Sequence, residues 1–206
     1  FRDNVDIDPA TFYQRLPSSK VFPSTSQPSA GEFVDFFRKA ASEADAVVGI
    51  FISSKLSGTV ASARAALADL PDLTIRVVDS LSTSMGLGFA VLAAAQAAHE
   101  GRSLDEVVAA AEQVCQRVEV LFAVDTLEYL HRGGRIGGAA RFLGSALNLK
   151  PVLTIAHGRV ESLEKVRSRS KSLRRLIEIA QERKQERVGP APAIDLAGLM
   201  AKVASA

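Results

Sequence analysis

The ten residues FISSKLSGTV, numbered 51–60, decide how the rest of the chain is interpreted. They continue an apolar run over residues 46–52 and lead into an alanine-rich segment over residues 61–68. An apolar run without alternation, followed by small polar residues and a helical segment, is typical of a buried parallel strand that passes through a loop into a helix. The stretch therefore predicts a strand–loop–helix unit of an α/β protein.

The loop of this unit is rich in hydroxyl groups. It contains Ser53, Ser54, Ser57 and Thr59, and Gly58 stands at or near the start of the helix. In an open α/β sheet such loops border the crevice in which ligands bind, and the first N–H groups of a helix have no partner within it. The loop is therefore a candidate binding site. Alternatively, its hydroxyl groups only cap the following helix.

Composition narrows the classes of function. Apolar residues make up 47% of the 206 residues and charged residues 23%, a balance typical of a globular protein. A net charge of +2 gives no general reason to expect a nucleic-acid partner. The one cysteine, Cys115, excludes an intramolecular disulfide and a cysteine-based zinc site, and its helical context predicts a buried structural thiol.

Targeting signals are not visible in the sequence. No run of about 18 apolar residues occurs, so we expect no membrane span. No secretory leader is apparent, and the chain begins at Phe1 rather than at methionine, which suggests a fragment of a longer protein. We therefore expect a cytoplasmic location.

Residues 1–117 are predicted to form a parallel α/β domain. Two capping boxes mark helix starts, one of Ser29 with Glu32 and one of Ser103 with Glu106. The predicted elements are a helix over 30–44, a strand over 46–52, a helix from 61, a strand over 73–79, a loop over 80–88, an apolar helix to 98 and a helix to 117. This order indicates a wound parallel sheet.

The segment before the first capping box has two possible roles. Thr25, Ser26 and Gln27 lie between two prolines that restrict the backbone. They either prepare the helix cap or form a second hydroxyl-bearing loop that faces the first one.

Residues 118–206 are predicted to form a mixed-sheet α+β domain, with the boundary near residue 117. The expected elements are a strand over 118–125, a short helix over 126–131, a helix from the RGGRIGG segment to about 147, a hairpin of 150–156 with 159–166, and a basic helix over 170–187. His157 and Gly158 should form the hairpin turn, which makes His157 a solvated loop residue.

Several standard site motifs are absent from the sequence. It contains no P-loop and no G-x-G-x-x-G after a strand, and its three histidines lack metal-ligand spacing. A serine hydrolase would need a base near Ser57, which His131 or His157 could supply, but G-x-S-x-G is missing. The guanidinium groups of Arg132 and Arg135 either bind phosphate or carboxylate or belong to a solvated basic loop.

Five segments together resemble the DegV family of bacterial fatty-acid-binding proteins. They are, in chain order, TSQPS (25–29), ISSKLSGT (52–59), VDS (78–80) with GLG (86–88), DTLEYLHRGGRI (125–136) and KPVL (150–153). Each is short, but their order and spacing over about residues 1–175 are specific to the family. The resemblance implies a two-domain α/β protein that encloses one long-chain fatty acid between the domains, with the tail in an apolar tunnel.

The resemblance also implies a head-group site. By motif position, the hydroxyl groups of Thr25 and Ser57 would bind the carboxyl oxygens, helped by backbone N–H groups around Ser26 and Gly58. Hydroxyl and amide donors can hold a carboxylate without a buried cation, so the residue types agree with this role.

A kinase partner follows from the same resemblance. Some members of the family present the acid to a separate ATP-dependent kinase, which makes the acyl phosphate for phospholipid synthesis. The chain would then be a carrier that binds no metal and no cofactor other than its lipid ligand. Arg135, Arg167 and Arg169 would form, by a looser correspondence, the basic face that meets the kinase.

The chain departs from the family pattern in two places. Family members begin with a strand ending in Asp-Ser, which is missing before Phe1, and usually carry a His-x-Gly-Pro-Gly motif near the C-terminus. Here Gly189 and Pro190 have no such histidine beside them. We expect residues to be absent from the chain, because loss of a central strand would expose an apolar sheet edge.

Two other functions remain open. The protein is an enzyme if Ser57 attacks an acyl substrate as a nucleophile. It is a regulator if its basic helix responds to lipid, in which case binding to nucleic acid or anionic membrane should depend strongly on salt.

Overall fold

The computed structural model describes residues 1–2, 5–144 and 149–186. We number its helices and strands in chain order as α1 (Pro9–Arg15), α2 (Ala30–Ala41), β1 (Val47–Phe51), α3 (Thr59–Ala66), β2 (Ile75–Asp79), α4 (Ser84–His99), α5 (Leu104–Arg117), β3 (Leu121–Ala123), α6 (Glu128–Arg132), β4 (Val152–Ala156), β5 (Arg159–Glu164) and α7 (Arg169–Glu186). Short 3-10 helices occupy Leu16–Ser18, Leu67–Asp69 and Gly137–Phe142.

A parallel pair of strands lies at the centre of the first half. β1 and β2 pair in register from Val47 with Ile75 to Phe51 with Asp79. One face of the pair is covered by the apolar sides of α2 and α3, and the other by α4 and α5. This three-layer arrangement explains why β1 is an apolar run without alternation, since both of its faces are covered. The predicted α/β fold with a parallel N-terminal sheet is confirmed.

Helix α4 begins earlier than its glycines suggested. We predicted a loop over residues 80–88, but the helix starts at Ser84 and includes Gly86 and Gly88. A Cβ atom on Gly86 would overlap the side chains of Ser82 and Val120. Gly86 therefore lets the first turn of the helix pack closely against its neighbours, and the prediction of a loop there was wrong.

An antiparallel sheet organises the second half. Its described strands follow the order β3–β4–β5, and β4 and β5 are joined at His157 and Gly158, which have positive φ angles of 50° and 78°. The predicted hairpin is thus confirmed. The strand predicted over 118–125 is shorter, because only Leu121–Ala123 pairs with β4. The division of the chain into domains at residue 117 stays a prediction.

The segment after α6 is more compact than predicted. A 3-10 helix spans Gly137–Phe142 where we expected a helix to about residue 147, and residues 145–148 fall outside the described ranges. Gly137 has a φ of 50°, and a Cβ atom on it would overlap the carbonyl group of Val160 in β5. This close approach requires glycine and presses the 3-10 helix against the sheet.

Helix α7 closes the second half. It packs against β3 and β4 and buries Ile179. The Arg175 guanidinium forms ion pairs with Glu164 of β5 and with Glu178 and Glu182 of its own helix, at 2.8–3.1 Å. These contacts fix the outer surface of α7 to the sheet edge.

Candidate functional site

The segment Ser53–Gly58, which we call the serine loop, follows the carboxyl end of β1. Ser57 Oγ lies 2.8 Å from Thr59 Oγ1 and accepts a hydrogen bond from Thr59 N at 3.3 Å. The N–H groups of Gly58, Val60 and Ala61 have no acceptor among the described residues. The start of α3 therefore presents one oriented hydroxyl group and three unpaired amide donors, a combination suited to an anion.

The segment Phe22–Pro28, which we call the threonine loop, meets the serine loop. A Cβ atom on Gly58 would lie only 2.7 Å from Gln27 Nε2 and 2.9 Å from Gln27 Cδ, so the Gln27 amide rests on the Gly58 backbone. The side chains of Thr25, Ser26 and Gln27 are exposed, and none of them has a hydrogen-bond partner in the described part of the chain. The expectation of two facing loops is therefore met at Gly58.

Both ends of the threonine loop are anchored. At its start, the Phe22 ring stacks on Tyr129 with 6.4 Å between ring centres, and the Arg132 guanidinium lies 4.5 Å above the same ring. At its end, Ser29 and Glu32 form the predicted capping box of α2. The exposed polar side chains of the loop therefore lie between two fixed ends, one at α6 and the other at α2.

Gln27 is a candidate site residue that sequence reasoning missed. We considered it only as part of a helix cap or a hydroxyl-bearing loop, and its contact with Gly58 joins two elements that local patterns cannot connect. The signal that could have found it is its place in the TSQPS segment beside Thr25 and Ser26. Its amide group adds two potential donors to the candidate site.

Three contacts attach the serine loop to the second half of the chain. Leu56 packs against the core cluster that includes Leu127 and Leu153, and its carbonyl oxygen accepts a hydrogen bond from Arg135 Nε at 3.1 Å. Ser53 Oγ donates to the carbonyl oxygen of Gly158 at 2.7 Å. The serine loop is therefore fixed at its start by strand β1, which it follows, and along its length by these contacts with the second half of the chain.

Asp79 organises the adjacent loop after β2. Its Oδ1 atom accepts hydrogen bonds from Ser54 N and from Leu81 N, both at 3.1 Å, and Ser53 N donates to Ser82 O at 2.9 Å. These bonds arise because the carboxyl ends of paired parallel strands lie side by side. They keep the two loops in register at the edge of the sheet.

The three arginines predicted to face a partner lie in different settings. Arg135 uses Nε and Nη1 to bind the carbonyl groups of Leu56 and Gly133, so it belongs to the framework of the serine loop. Arg169 pairs with Asp125 at 3.0 Å at the start of α7. Arg167 is exposed and has no ion-pair partner within the described ranges. A common basic face of all three stays a prediction.

A cavity of about 240 Å³ lies between β3 and α7, away from both loops. Phe122, Leu173 and Leu176 contribute apolar surface, while Lys150 and Arg169 at its edge are both paired with Asp125. Asp125 lines the cavity as well, so an anion there would compete with this carboxylate for both cations, and the cavity offers a weaker anion site than the start of α3 does.

The remaining candidates for chemistry are isolated from the two loops. Cys115 is half-buried against the α4–α5 cluster, and burial raises the pKa of its thiol, which favours the unreactive form. His157 is exposed in the hairpin turn, as predicted. In the described ranges no histidine or carboxylate forms a hydrogen bond with Ser57, and no cluster of potential metal ligands occurs.

The described helices were also compared with the requirements for a membrane span. Across the helices that the structure describes, none combines the length and the apolar character needed to cross a bilayer.

Several known proteins are similar to this chain in sequence and in structure. The family model described as "Uncharacterised protein, DegV family" matches residues 1–195. A DegV domain-containing protein of Streptomyces coelicolor is 46% identical over 175 residues, which cover 84% of this chain and 60% of that protein. Protein DegV of Bacillus subtilis is 34% identical over 183 residues, covering 88% of this chain and 65% of the relative.

Solved structures agree with these matches. A DegV family protein from Thermus thermophilus, described for its fatty acid binding, superposes with a TM-score of 0.82 at 43% identity. The match covers 88% of this chain and 65% of the Thermus thermophilus chain. DegV from Bacillus subtilis, described as a fatty acid binding protein, superposes with a TM-score of 0.76 at 34% identity. The match covers 90% of this chain and 66% of the Bacillus subtilis chain. The chain thus spans about 60–66% of the length of these relatives. Matched over nearly its whole length by the family model, the chain belongs to the DegV family.

Proposed function

We propose that this protein binds one long-chain fatty acid and acts as a carrier. The observation that supports the proposal most strongly is the contact of Gln27 with Gly58, by which the threonine loop meets the start of α3. The family relationship supports it as well, since relatives of known structure from Thermus thermophilus and Bacillus subtilis are described as binding fatty acids.

The carboxyl group is held by the hydroxyl groups of Thr25 and Ser57. The N–H groups near Ser26 and Gly58 complete its hydrogen bonds, and the dipole of α3 favours the negative charge. Of these groups, Ser57 is oriented in advance by Thr59, which reduces the conformational freedom lost on binding. Cationic side chains are not required at the carboxylate.

The acyl tail provides most of the affinity. Burial contributes about 0.8 kcal/mol per CH2 group, so a chain of about 16 carbons gains roughly 10 kcal/mol before the costs of association. A hydrogen bond to a charged group contributes about 1.5–3 kcal/mol. The hydroxyl groups therefore determine the orientation of the ligand more than its total affinity.

The carrier presents the fatty acid to an ATP-dependent kinase that forms the acyl phosphate. Donors confined to one side of a carboxylate leave an oxygen open to a phosphoryl group. Arg167 is the best placed of the predicted partner residues, because it is exposed and unpaired within the described ranges, whereas Arg135 and Arg169 already have partners. A cytoplasmic location, expected from the sequence, stays a prediction that cell fractionation would check.

The Ser57→Ala variant tests the carrier against the alternative of a serine-dependent hydrolase or acyl-transfer enzyme. A carrier should keep stoichiometric lipid in denaturing mass spectrometry while its affinity for hexadecanoate falls about 10- to 100-fold, the loss expected for a hydrogen bond to a charged group. Ser62→Ala, one turn along α3 with no hydrogen bond from its hydroxyl group, serves as the control.

The enzyme alternative makes the opposite prediction. Wild-type protein would then release the acyl group of a p-nitrophenyl ester in repeated turnovers, and Ser57→Ala would abolish that release. An unaltered affinity for hexadecanoate in Ser57→Ala would contradict the proposed head-group site, and an empty wild-type protein that takes up no fatty acid on titration would contradict the carrier.

A further inference from the structure

Ser53 occupies an unusual position for a loop serine. Its side chain is fully buried, and its Oγ atom both donates to Gly158 O at 2.7 Å and accepts from Lys55 N at 3.1 Å. The bond to Gly158 joins residues 105 positions apart, one in each half of the chain. Both hydrogen-bonding functions of this hydroxyl group are therefore used to fix the serine loop.

Ser53 is also connected to the candidate ligand group by its backbone. Its carbonyl oxygen accepts hydrogen bonds from Leu56 N at 2.9 Å and from Ser57 N at 3.1 Å. A continuous series of bonds thus runs from the β4–β5 turn through Ser53 to the backbone of Ser57. A displacement of Ser53 would move Ser57 and the start of α3 with it.

The backbone around this contact includes two residues with positive φ angles. Leu81 and His157 have φ angles of 48° and 50°, in the left-handed region, which is costly for leucine but is adopted more often by histidine. Both adjoin Gly158: His157 precedes it in the turn, and a Cβ atom on Gly158 would lie 3.0 Å from Leu81 Cδ2. Such strain persists only where surrounding contacts enforce it, and it is concentrated at functional sites.

We propose that Ser53 is a positioning residue for the head-group site. Its bond to Gly158 fastens the serine loop to the β4–β5 turn and holds Ser57 and the first N–H groups of α3 in the arrangement that binds a carboxylate. This inference rests on the proposed fatty-acid binding. It predicts that loss of the Ser53 hydroxyl group affects recognition of the head group and leaves binding of the tail intact.

The test compares two ligands of equal length, hexadecanoate and hexadecan-1-ol, delivered from cyclodextrin and measured by native mass spectrometry. Ser53→Ala should weaken binding of the acid about tenfold, or about 1.4 kcal/mol, and that of the alcohol less than about twofold. Ser172→Ala is the matched control, because Ser172 is equally buried and its Oγ donates to Lys150 O at 2.5 Å, remote from the serine loop. It should change neither affinity.

The outcomes separate positioning from general stability. Equal weakening of acid and alcohol in Ser53→Ala, or no weakening of either, would overturn the inference. If Ser53→Ala does not fold, Ser53→Cys replaces it, since a thiol fills the buried position but donates only a weak hydrogen bond to Gly158 O; it should show the same difference between the two ligands. Wild-type protein that fails to bind hexadecanoate would instead contradict the proposed function itself.

Discussion

Replacing Gly58 with alanine should separate ligand affinity from folding stability. The φ of Gly58 is −75°, which alanine adopts without strain, so the backbone at this position does not require glycine. The new Cβ atom would nevertheless lie 2.7 Å from Gln27 Nε2, about 1 Å closer than ordinary van der Waals contact allows. The exposed Gln27 side chain must therefore move away from the serine loop.

The displacement should cost affinity rather than stability. Because Gln27 is exposed and makes no hydrogen bond in the described part of the chain, we expect Gly58→Ala to destabilise the fold by less than about 1 kcal/mol, including the weaker N-cap. Separating the two loops removes about one hydrogen bond to a charged carboxylate. The affinity for hexadecanoate should then fall about tenfold or more.

Titration of hexadecanoate and thermal unfolding together measure both effects. Gly31→Ala is the matched control: Gly31 lies in α2 with no atom within 4 Å of its Cβ position, so alanine should raise stability by about 0.5–1 kcal/mol and leave affinity unchanged. In Gly58→Ala with Gln27→Ala, the clash is absent, and the double variant should bind no worse than Gln27→Ala alone. Additive losses, or wild-type affinity in Gly58→Ala, would refute the role of this contact.

Two further predictions concern stability. Gly137→Ala should destabilise the fold by about 3 kcal/mol or more in chemical denaturation, because both its φ of 50° and the facing β5 carbonyl exclude a Cβ atom. Gly134→Ala is the control: its φ is 73° but the space around it is open, so the substitution should cost only about 1 kcal/mol. Equal losses of stability in the two variants would contradict this explanation. Hydrogen bonds from Arg175 lower the pKa of Glu164, so the ionised carboxyl group stabilises the fold above the usual glutamate range and this contribution disappears as the pH falls through the lowered pKa. Glu164→Gln should therefore be less stable than wild type near pH 7, and the difference should shrink as the pH falls below the usual glutamate range; a difference that does not change with pH would argue against the ion pair.

Local patterns predicted the elements that local forces form. Both capping boxes are present in the structure, with Ser29 bonded to Glu32 and Ser103 to Glu106, since each pair lies within one turn of helix. The unalternating apolar run over residues 46–52 correctly indicated a parallel strand with helices on both faces, although its residues are half-buried rather than fully buried. In each case the residues that decide the structure are close together in the sequence.

Glycine was the main source of error in the predicted elements. Gly86 was assigned to a loop of small residues over 80–88, but here its lack of a side chain lets α4 approach Ser82 and Val120. The propensity of glycine is a weak local preference, and a tertiary contact of this kind overrides it. One of the two contacts is with Val120, which belongs to the second half of the chain and whose approach no local pattern reveals.

The sequence left open whether Ser57 caps a helix or binds a ligand, and the geometry makes these roles compatible. Ser57 Oγ accepts a hydrogen bond from Thr59 N, as a capping group would, yet the hydroxyl group keeps further hydrogen-bonding capacity, and three neighbouring N–H groups have no acceptor in the part of the chain that the structure describes. A serine that satisfied all of these donors would leave nothing for a carboxylate, whereas a glycine would leave the hydroxyl position empty. In the proposed site, Gln27 and the anchoring by Gly158 would convert this incomplete cap into a carboxylate site, and both come from segments whose approach no local pattern reveals.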